Sequence, residues 1–389
     1  MAPRYPDSSV FYRRLDRDFP VAVRAEGSWI VDAEGRRYLD AAGGAAVANL
    51  GHDLDDVADA VAAEIRGLGY INGTQFTNAA CEALAAELVE VLPEPLRYVY
   101  FLASGSEAVE AAVKLARQVQ VERGRASKWK VVSRIPSYHG NTLAALALSG
   151  RESYREAFGP LLLDLPRIPA PDPWRHPDGA GTTGEALAAE LARQGADSVA
   201  AFIAEPIGGS SSGAVVPSRD YWRRIAATCV ENDLLWIADE VMCGMGRSGR
   251  WFAFEHFGAV PDILVLGKGL NAGAVPLSAV VASREVVATI ARGSGAFHHA
   301  QTYSHQPATC AAGLAVVRRL KRDRLVERAA TLEAPLFAAL ERLKRHAAVG
   351  DVRGKGLLAA VELVADRITG EPFPRSARVA ERLAAAAFE

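Results

Sequence analysis

Short runs of apolar residues alternate along the middle of the chain with longer segments of helical pattern. The runs are strand-sized, rich in β-branched residues and apolar throughout, which indicates burial on both faces of a sheet. The predicted strands are Tyr98–Ala103, Val131–Ile135, Val199–Ala204, Leu235–Ala238, Ile263–Leu266 and Leu277–Ala282. The predicted helices are Ser106–Glu122, Thr183–Gln194, Arg219–Asn232, Arg284–Arg292 and Ala308–Arg322. This alternation predicts an α/β fold with a mainly parallel sheet between helices.

The two ends of the chain carry patterns that predict a second, smaller α+β domain. Trp29–Asp40 has turn chemistry between apolar positions and is predicted to form a hairpin. Near the other end, Leu357–Val364 has a strand pattern and Arg375–Phe388 a helical one. We expect the two ends to meet in one domain. The predicted boundaries are 1–49 for its N-terminal part, 50–300 for the large domain, and 301–389 for a linker helix and its C-terminal part.

Composition and charge narrow the class of protein. The chain has 389 residues, of which 50% are hydrophobic, so it can bury more core than one ordinary domain needs. Its 44 basic and 46 acidic residues nearly balance, without the basic excess that is typical of nucleic-acid-binding proteins. We therefore expect no nucleic-acid partner.

The cysteines and the apolar runs point to a reduced, cytoplasmic setting. Cys81, Cys229, Cys243 and Cys310 are far apart and form no C-x-x-C pair, which argues against a disulfide framework and against a zinc site. The segment Met1–Phe19 lacks the apolar core of a secretory signal, and the longest apolar runs are too short to span a membrane. The expected protein is cytoplasmic, with reduced thiols, no metal and no membrane partner.

A candidate anion site follows the first predicted strand, in the sequence Ala-Ser-Gly-Ser-Glu-Ala of residues 103–108. A helix N-terminus presents unpaired N–H groups and a positive dipole end, which suit a phosphate. Gly105 would allow close backbone approach and Ser106 could add a hydroxyl, with Ser104 beside them. The same residues also fit ordinary helix capping, with Glu107 in the first turn.

An aromatic residue follows the second predicted strand. Tyr138 and His139 stand before a glycine, where the strand should end. A tyrosine ring there can stack on a planar heterocycle, or it can simply pack in the core beside a turn. These residues alone leave both interpretations open.

An acid and a lysine follow two later strands. Asp239 and Glu240 end the apolar run Leu234–Ala238, at the strand end where open α/β sheets bind ligands. A carboxylate beside a pyridine nitrogen keeps it protonated and makes the ring an electron sink, and Val241 could pack on one ring face. Lys268 lies between two glycines, and its amine can form a Schiff base with an aldehyde if its surroundings hold it neutral.

The joint pattern resembles a known family. Ser-Gly-Ser-Glu-Ala, Tyr-His-Gly, Asp-Glu-Val, Lys-Gly and the Thr-Tyr pair at 302–303 have the order and spacing of class III aminotransferases, which depend on pyridoxal phosphate (PLP) and have fold type I. The segments Ala204–Ile207, Asp239–Gly249 and Gly350–Leu363 resemble the family as well. The resemblance runs from about Ser28 to the end of the chain and implies a fold type I transferase whose large domain binds PLP.

The resemblance implies a role for each matching residue near the ring of the cofactor. Lys268 would hold PLP covalently and move the proton during catalysis, and Asp239 would pair with the pyridine nitrogen. Tyr138, with His139 beside it, would stack on one face of the ring, and Val241 would press the other.

Further roles implied by the resemblance concern the phosphate, the partner and the substrate. Ser104, Gly105 and Ser106 would hold the phosphate, and Thr302 would reach the phosphate of the neighbouring subunit in a homodimer with shared active sites. Glu205 resembles a gate acid, which in many members pairs with a mobile arginine and frees it when a substrate carboxylate arrives.

The chain departs from the family pattern at several places, and two of these departures concern the substrate. Met242 replaces the glutamine of ornithine- and GABA-type members, which favours amine and ω-amino acid donors. In relatives the helix that ends here at Glu389 is followed by a further strand and helix, with the usual substrate-carboxylate arginine. We therefore expect a truncated or shortened chain that binds keto acids poorly, with Arg353 as the first candidate for a replacement.

The leading functional prediction is transfer of an amino group from an amine or ω-amino acid to pyruvate or 2-oxoglutarate. Two alternatives stay open. A PLP-dependent aminomutase or decarboxylase on the same fold would turn over one substrate without a keto acceptor or would release carbon dioxide. A shortened PLP-binding dimer would have no turnover.

Overall fold

The computed structural model describes residues 5–389, which form thirteen strands and thirteen α-helices, some of them a single turn, together with six short 3₁₀ helices. The strands are β1 Ala22–Glu26, β2 Trp29–Asp32, β3 Arg37–Leu39, β4 Leu96–Leu102, β5 Lys130–Ile135, β6 Arg167–Pro169, β7 Val199–Ala204, β8 Leu235–Asp239, β9 Ile263–Leu266, β10 Ser278–Ser283, β11 Val349–Lys355, β12 Leu358–Asp366 and β13 Glu371–Pro372. The helices are α1 Gly43–Ala46, α2 Asp55–Gly67, α3 Ala79–Val89, α4 Gly105–Glu122, α5 Leu143–Leu148, α6 Glu152–Phe158, α7 Ala180–Thr183, α8 Glu185–Gln194, α9 Arg219–Glu231, α10 Arg284–Arg292, α11 Pro307–Arg322, α12 Leu325–Glu341 and α13 Val379–Phe388. Within these described residues, no helix has the length and apolar character that a membrane crossing requires.

Seven strands form the central sheet, in the order β4-β10-β9-β8-β7-β5-β6. The pairs from β9 to β6 are parallel, and β10 runs antiparallel to both of its neighbours, β4 and β9. Every residue of β7, β8, β9 and β10 is buried, as expected for strands that helices cover on both faces. Strands β7 and β9 have the predicted bounds, and the predicted mainly parallel α/β sheet is confirmed.

The core lies on both faces of this sheet because successive side chains of a strand point to opposite sides. Trp236 of β8 faces one side, where its ring stacks at 5.0 Å on Trp222 of α9. Its neighbour Ile237 faces the other side, in a cluster that includes Val109 of α4. The sheet is therefore held rigidly between two helical layers, which fixes the positions of its strand ends.

Local signals set where two of the helices begin. Ser104 and Glu107 form a reciprocal capping box at the start of α4, so this helix begins at Gly105. The predicted helix Thr183–Gln194 is wrong in its first turn. Gly184 has a left-handed backbone, with φ of 85°, and divides the segment into α7 and α8.

The two ends of the chain form separate three-stranded antiparallel sheets, β1–β3 and β11–β13. The predicted hairpin is β2–β3, and the predicted C-terminal strand is β12, flanked by two strands that were not predicted. The ends touch where the rings of Tyr38 and Phe388 stack at 4.9 Å. Helix α13 begins at Val379 rather than at Arg375, because the left-handed Arg378 separates it from a preceding 3₁₀ turn.

Candidate active site

Five residues that the sequence predicts to have functional roles lie at one edge of the central sheet. Strands β4, β5, β7, β8 and β9 all run in the same direction, so their carboxyl ends meet there. Tyr138 follows β5, Glu205 follows β7, Asp239 ends β8, Lys268 follows β9, and Gly105 follows β4. All five residues line one cleft of about 750 Å³.

Asp239 is held in the cleft by two hydrogen bonds. Its Oδ2 lies 2.7 Å from Nδ1 of His139, and its Oδ1 accepts a hydrogen bond from the backbone N–H of Val241 at 3.1 Å. Both the acid and the histidine are buried, and Nε2 of His139 has no partner among residues 5–389. A buried nitrogen without a partner indicates that a water or ligand atom completes this site.

Glu205 is a buried acid with half of its hydrogen-bonding capacity unused. Its Oε1 accepts a hydrogen bond from the N–H of Gly209 at 3.0 Å, whereas its Oε2 has no partner in the described chain. Burial raises the pKa of Glu205, and electrostatic interactions with His139 and Arg134 offset only part of this effect. The carboxyl therefore takes up a proton more readily than an exposed glutamate does.

Lys268 combines an unusual backbone with a half-buried amine. Its φ is 43°, in the left-handed region that side chains other than glycine rarely occupy. Burial lowers the pKa of its ammonium group; the charge of Asp239 opposes this effect, and that of Arg247 adds to it. Strained backbone and a pKa displaced by burial in a cleft are features of functional sites.

Two backbone segments approach the side chain of Val241 closely. A Cβ at Gly105 would lie 3.0 Å from its Cγ1, and a Cβ at Gly267 would lie 3.2 Å from the same atom. Glycine at both positions therefore lets the start of α4 and the lysine-bearing turn approach this valine closely. As a result, the N-terminus of α4 opens into the cleft beside Lys268.

The serine hydroxyls at the start of α4 already have partners. Ser104 Oγ serves the capping box with Glu107, and Ser106 Oγ donates to Oδ1 of Asn141 at 2.8 Å. The backbone N–H groups of the first helical turn are then the main donors available to an anion. The capping interpretation is thus correct for Ser104, and it does not exclude an anion at the same helix end.

Thr302 lies outside the cleft of its own chain. Its side chain is exposed, and it does not line the 750 Å³ space. The loop that carries it nevertheless packs near the start of α4, because Nε2 of Gln301 donates to Oε1 of Glu107 at 3.2 Å.

A family model for aminotransferase class III matches residues 12–385. The chain belongs to the class III aminotransferases. Members of this family depend on PLP and move an amino group from an amine or amino acid to a keto acid. The fold type I architecture described above agrees with this assignment.

Individual relatives cover most of this aminotransferase. The uncharacterized aminotransferase YodT of Bacillus subtilis is 39% identical over 92% of this chain and 82% of its own length. The putrescine–pyruvate aminotransferase of Pseudomonas aeruginosa is 34% identical over 93% of this chain and 81% of its own length. Among solved structures, an (S)-enantioselective ω-transaminase from Thermomicrobium roseum has a TM-score of 0.90 and 37% identity, covering 95% of this chain and 83% of its own.

The cleft of this class III aminotransferase fits the PLP that its family uses. PLP has three groups that a protein must bind. Its aldehyde needs an amine for covalent attachment, its phosphate needs N–H donors, and its pyridine nitrogen needs a fixed carboxylate. Lys268, the first turn of α4 and Asp239 provide these groups around one cavity. The unpartnered Nε2 of His139 and the 750 Å³ of space between these groups are the structural observations that favour a bound ligand here.

Three arginines that were not predicted from the sequence as site residues line the same cleft: Arg13, Arg151 and Arg247. Arg13 lies in the N-terminal segment, Arg151 between α5 and α6, and Arg247 after β8, within the family-like segment Asp239–Gly249. Arg353, which the sequence favoured, does not line the cleft. Its guanidinium pairs with Asp351 and Glu362 in the C-terminal sheet.

Proposed function

We propose that this class III aminotransferase transfers an amino group from an amine or ω-amino acid to an α-keto acid, pyruvate or 2-oxoglutarate. The observation that carries the proposal is Lys268, a half-buried lysine with a left-handed backbone that shares a cleft with the buried Asp239–His139 pair. The donor class is supported by the similarity to an aminotransferase named for putrescine and pyruvate and to an ω-transaminase.

The proposed roles follow the chemistry of the donors in the cleft. Lys268 would bind the aldehyde of PLP, and Asp239 would pair with its ring nitrogen. Tyr138 and Val241 would contact the faces of the ring, with His139 fixing the carboxylate of Asp239 from behind. When bound, PLP supplies an electron sink for the charge left on carbon after proton loss.

The phosphate end of the cofactor would lie at the start of α4. Gly105 gives access to the backbone N–H groups there, and Ser104 and Ser106 shape the turn through their bonds to Glu107 and Asn141. A helix N-terminus stabilises a dianion through these N–H groups and its dipole.

Proton movement would be the task of Lys268. An amine can accept a proton from substrate carbon only when it is itself neutral, and burial favours the neutral form of Lys268. Its Nζ would take the proton from the donor carbon that bears the nitrogen. When the keto acid receives the amino group, Nζ would return a proton to the acceptor carbon that now bears the nitrogen.

Glu205 would act as the gate acid that the resemblance implies. Its Oε2 is buried and has no partner in residues 5–389, so an arginine side chain or a substrate ammonium group can bind there. Gly209 holds Oε1 and thereby fixes the direction in which Oε2 points.

The assembly and the domains are part of the proposal. A homodimer with shared sites would bring Thr302 of one subunit to the phosphate of the other, and its exposed side chain next to the exposed Tyr303 suits that contact. The domains would be 1–49 with 301–389, and 50–300. The four cysteines are free, which supports a cytoplasmic location.

A spectral titration tests the proposed function. The PLP-loaded protein is mixed with a panel of amines and ω-amino acids, and the visible cofactor absorbance should disappear with at least one donor and return on addition of pyruvate or 2-oxoglutarate. Product formation without any keto acid would instead indicate an aminomutase, and release of carbon dioxide a decarboxylase. No spectral change with any donor would contradict the proposal.

Light scattering and mixed subunits test the assembly. We expect a dimer in solution. If sites are shared, dimers mixed from a Lys268→Ala subunit and a Thr302→Ala subunit should contain one intact site. A monomer that binds PLP tightly would contradict the shared site.

A further inference from the structure

Arg151 is a cation that the structure holds in a fixed position inside the cleft. Its Nε donates to Oγ of Ser211 at 2.8 Å, and its Nη2 donates to Oγ of Ser210 at 2.6 Å. The guanidinium carbon lies 4.6 Å from the ring centre of Tyr138 and 5.8 Å from that of Tyr154. Two hydroxyls and two aromatic rings therefore orient the planar guanidinium group.

Arg151 has no counter-ion among residues 5–389. Its polar partners are neutral hydroxyls, and no carboxylate pairs with it. Two other half-buried guanidinium groups, those of Arg175 and Arg353, are paired with Glu362 elsewhere in the chain. An oriented guanidinium with Nη1 unengaged is prepared to bind a carboxylate.

Neighbouring hydroxyls add further donors to the same place. Tyr154 Oη accepts a hydrogen bond from Nη2 of Arg13, and Ser210 Oγ accepts one from Arg151. Each hydroxyl that accepts from an arginine still has its own proton to donate. Arg13, Arg151, Tyr154 and Ser210 all line the cleft, so an anion bound there would meet donors from three segments of the chain.

We propose that Arg151 binds the carboxylate of the substrate, foremost that of the keto acid acceptor, and that Ser210 and Tyr154 assist it. This inference rests on the proposed function and assigns the substrate class of the cleft, carboxylates rather than neutral carbonyl compounds. Arg247 also lines the cleft without a counter-ion, but no hydrogen bond orients its guanidinium in the described chain. Preorganisation therefore favours Arg151.

The test compares acceptors with and without a carboxylate. The PLP-loaded protein is assayed with 1,4-diaminobutane as donor and either pyruvate or butanal as acceptor. Arg151→Gln should raise the KM for pyruvate roughly 10- to 100-fold, as expected for loss of a charged hydrogen-bonded pair, and should leave kcat/KM for butanal within about 2-fold. Arg151→Lys should fall between the wild type and Arg151→Gln, because it retains the charge without the bidentate geometry.

Arg155 provides the matched control. It lies one helical turn further on, binds the carbonyl of Ala147 at 3.2 Å, and does not line the cleft, so Arg155→Gln should change neither acceptor. Equal losses with pyruvate and butanal in Arg151→Gln would indicate a structural role and overturn the inference. A pyruvate-selective loss in Arg247→Gln but not in Arg151→Gln would overturn it as well.

A binding measurement separates failure of the inference from failure of the proposed function. Propionate has a carboxylate and no keto group, so it cannot accept an amino group. Its Kd can therefore be measured by calorimetry whether or not the protein catalyses transamination. We expect propionate to bind at least about 10-fold more weakly to Arg151→Gln than to the wild type or Arg155→Gln. Equal Kd values would refute the role of Arg151, whereas a clear difference without any transamination would refute only the proposed function.

Discussion

Arg353 of the C-terminal sheet and Arg151 and Arg247 of the cleft are all half-buried, yet their surroundings differ. Arg353 contacts Asp351 and Glu362 within the sheet, and Arg175, which precedes α7, contacts the same Glu362. In the cleft, Arg151 and Arg247 have no carboxylate partner within the described residues. Charges that serve the fold are neutralised inside the chain, whereas charges that serve a ligand remain available to it.

The pKa values of one glutamate in each region are shifted in opposite directions. Burial alone would raise the pKa of Glu362, but hydrogen bonds from Arg175 and Arg353 outweigh it and hold that pKa below its usual value. Burial raises the pKa of Glu205, and within the described residues only the backbone N–H of Gly209 donates a hydrogen bond to its carboxyl group. Loss of a charge should therefore reduce activity in the cleft and stability in the sheet, and the following predictions separate these outcomes.

The largest expected effect is on Lys268. Lys268→Ala should abolish the covalent attachment of PLP and reduce turnover by at least about 10⁴-fold, because both the bond to the cofactor and the proton carrier are lost. Borohydride reduction and peptide mapping of the wild type should locate the pyridoxyl group on Lys268. Lys344→Ala, which removes an exposed partner of Glu341, is the control and should behave like the wild type. Label on another lysine would contradict the assignment.

Asp239→Asn should lower kcat by roughly 10²- to 10³-fold while PLP remains bound, because a neutral amide cannot hold the ring nitrogen protonated. The adjacent Glu240 is a matched control, since its carboxyl accepts hydrogen bonds from the N–H groups of Ala253 and Phe254. Burial raises the pKa of Glu240 to about 8, so Glu240→Gln changes little charge at neutral pH. Similar kinetics for both variants would argue against the role of Asp239.

Arg353→Met should reduce the free energy of unfolding by about 1–3 kcal/mol, because Asp351 loses its partner and Glu362 loses one of two. The rates of the amine half-reaction should stay near those of the wild type. Urea unfolding and stopped-flow absorbance measure the two effects. Arg151→Gln should show the opposite pattern, with a small stability change and a loss of acceptor binding. A kinetic defect in Arg353→Met at normal stability would contradict the conclusion that Arg353 serves the fold and not the ligand.

The smallest effects are the pH dependences of stability, which should have opposite signs. A raised pKa for Glu205 in the folded protein means that its contribution is present below the unfolded value and is lost as pH rises, so Glu205→Gln should gain stability at pH 8 and not at pH 4. A lowered pKa for Glu362 means that its contribution is present above the unfolded value and is lost in acid. Glu362→Gln should therefore be less stable than the wild type at pH 8, by on the order of 1 kcal/mol, and the difference should shrink below pH 4. Parallel pH curves of denaturant unfolding would contradict this.

The strand ends could be predicted from sequence because they depend on local burial. Apolar runs before Asp239 and Lys268 are buried at every position, and a parallel sheet brings such ends together whatever the loops do. The helix cap at Ser104 was open to two interpretations, and only the structure gives Ser106 a partner, 35 residues away at Asn141. Side-chain partners across long separations leave no mark in the local sequence.

The same reason explains what was missed. Strand β11, Val349–Lys355, contains two glycines and three charged residues, and it forms a strand because β12 pairs with it. Arg151 lies between two short helices. Its orientation in the cleft depends on the hydroxyl groups of Ser210 and Ser211, about sixty residues further along the chain. Arg353 was the candidate from sequence because it lies in the family-like segment Gly350–Leu363, and only the structure shows that Glu362 on the neighbouring strand pairs with it.

The left-handed backbone of Lys268 lowers the stability of the folded protein at the residue that the proposed catalysis requires. Glycine adopts a φ of 43° without the strain that a side chain brings, so Lys268→Gly should fold to a slightly more stable protein than Lys268→Ala while being equally inactive. Variants enriched for heat resistance alone would tend to replace this lysine. The backbone at this position therefore favours glycine, whereas the proposed chemistry requires the amine of lysine.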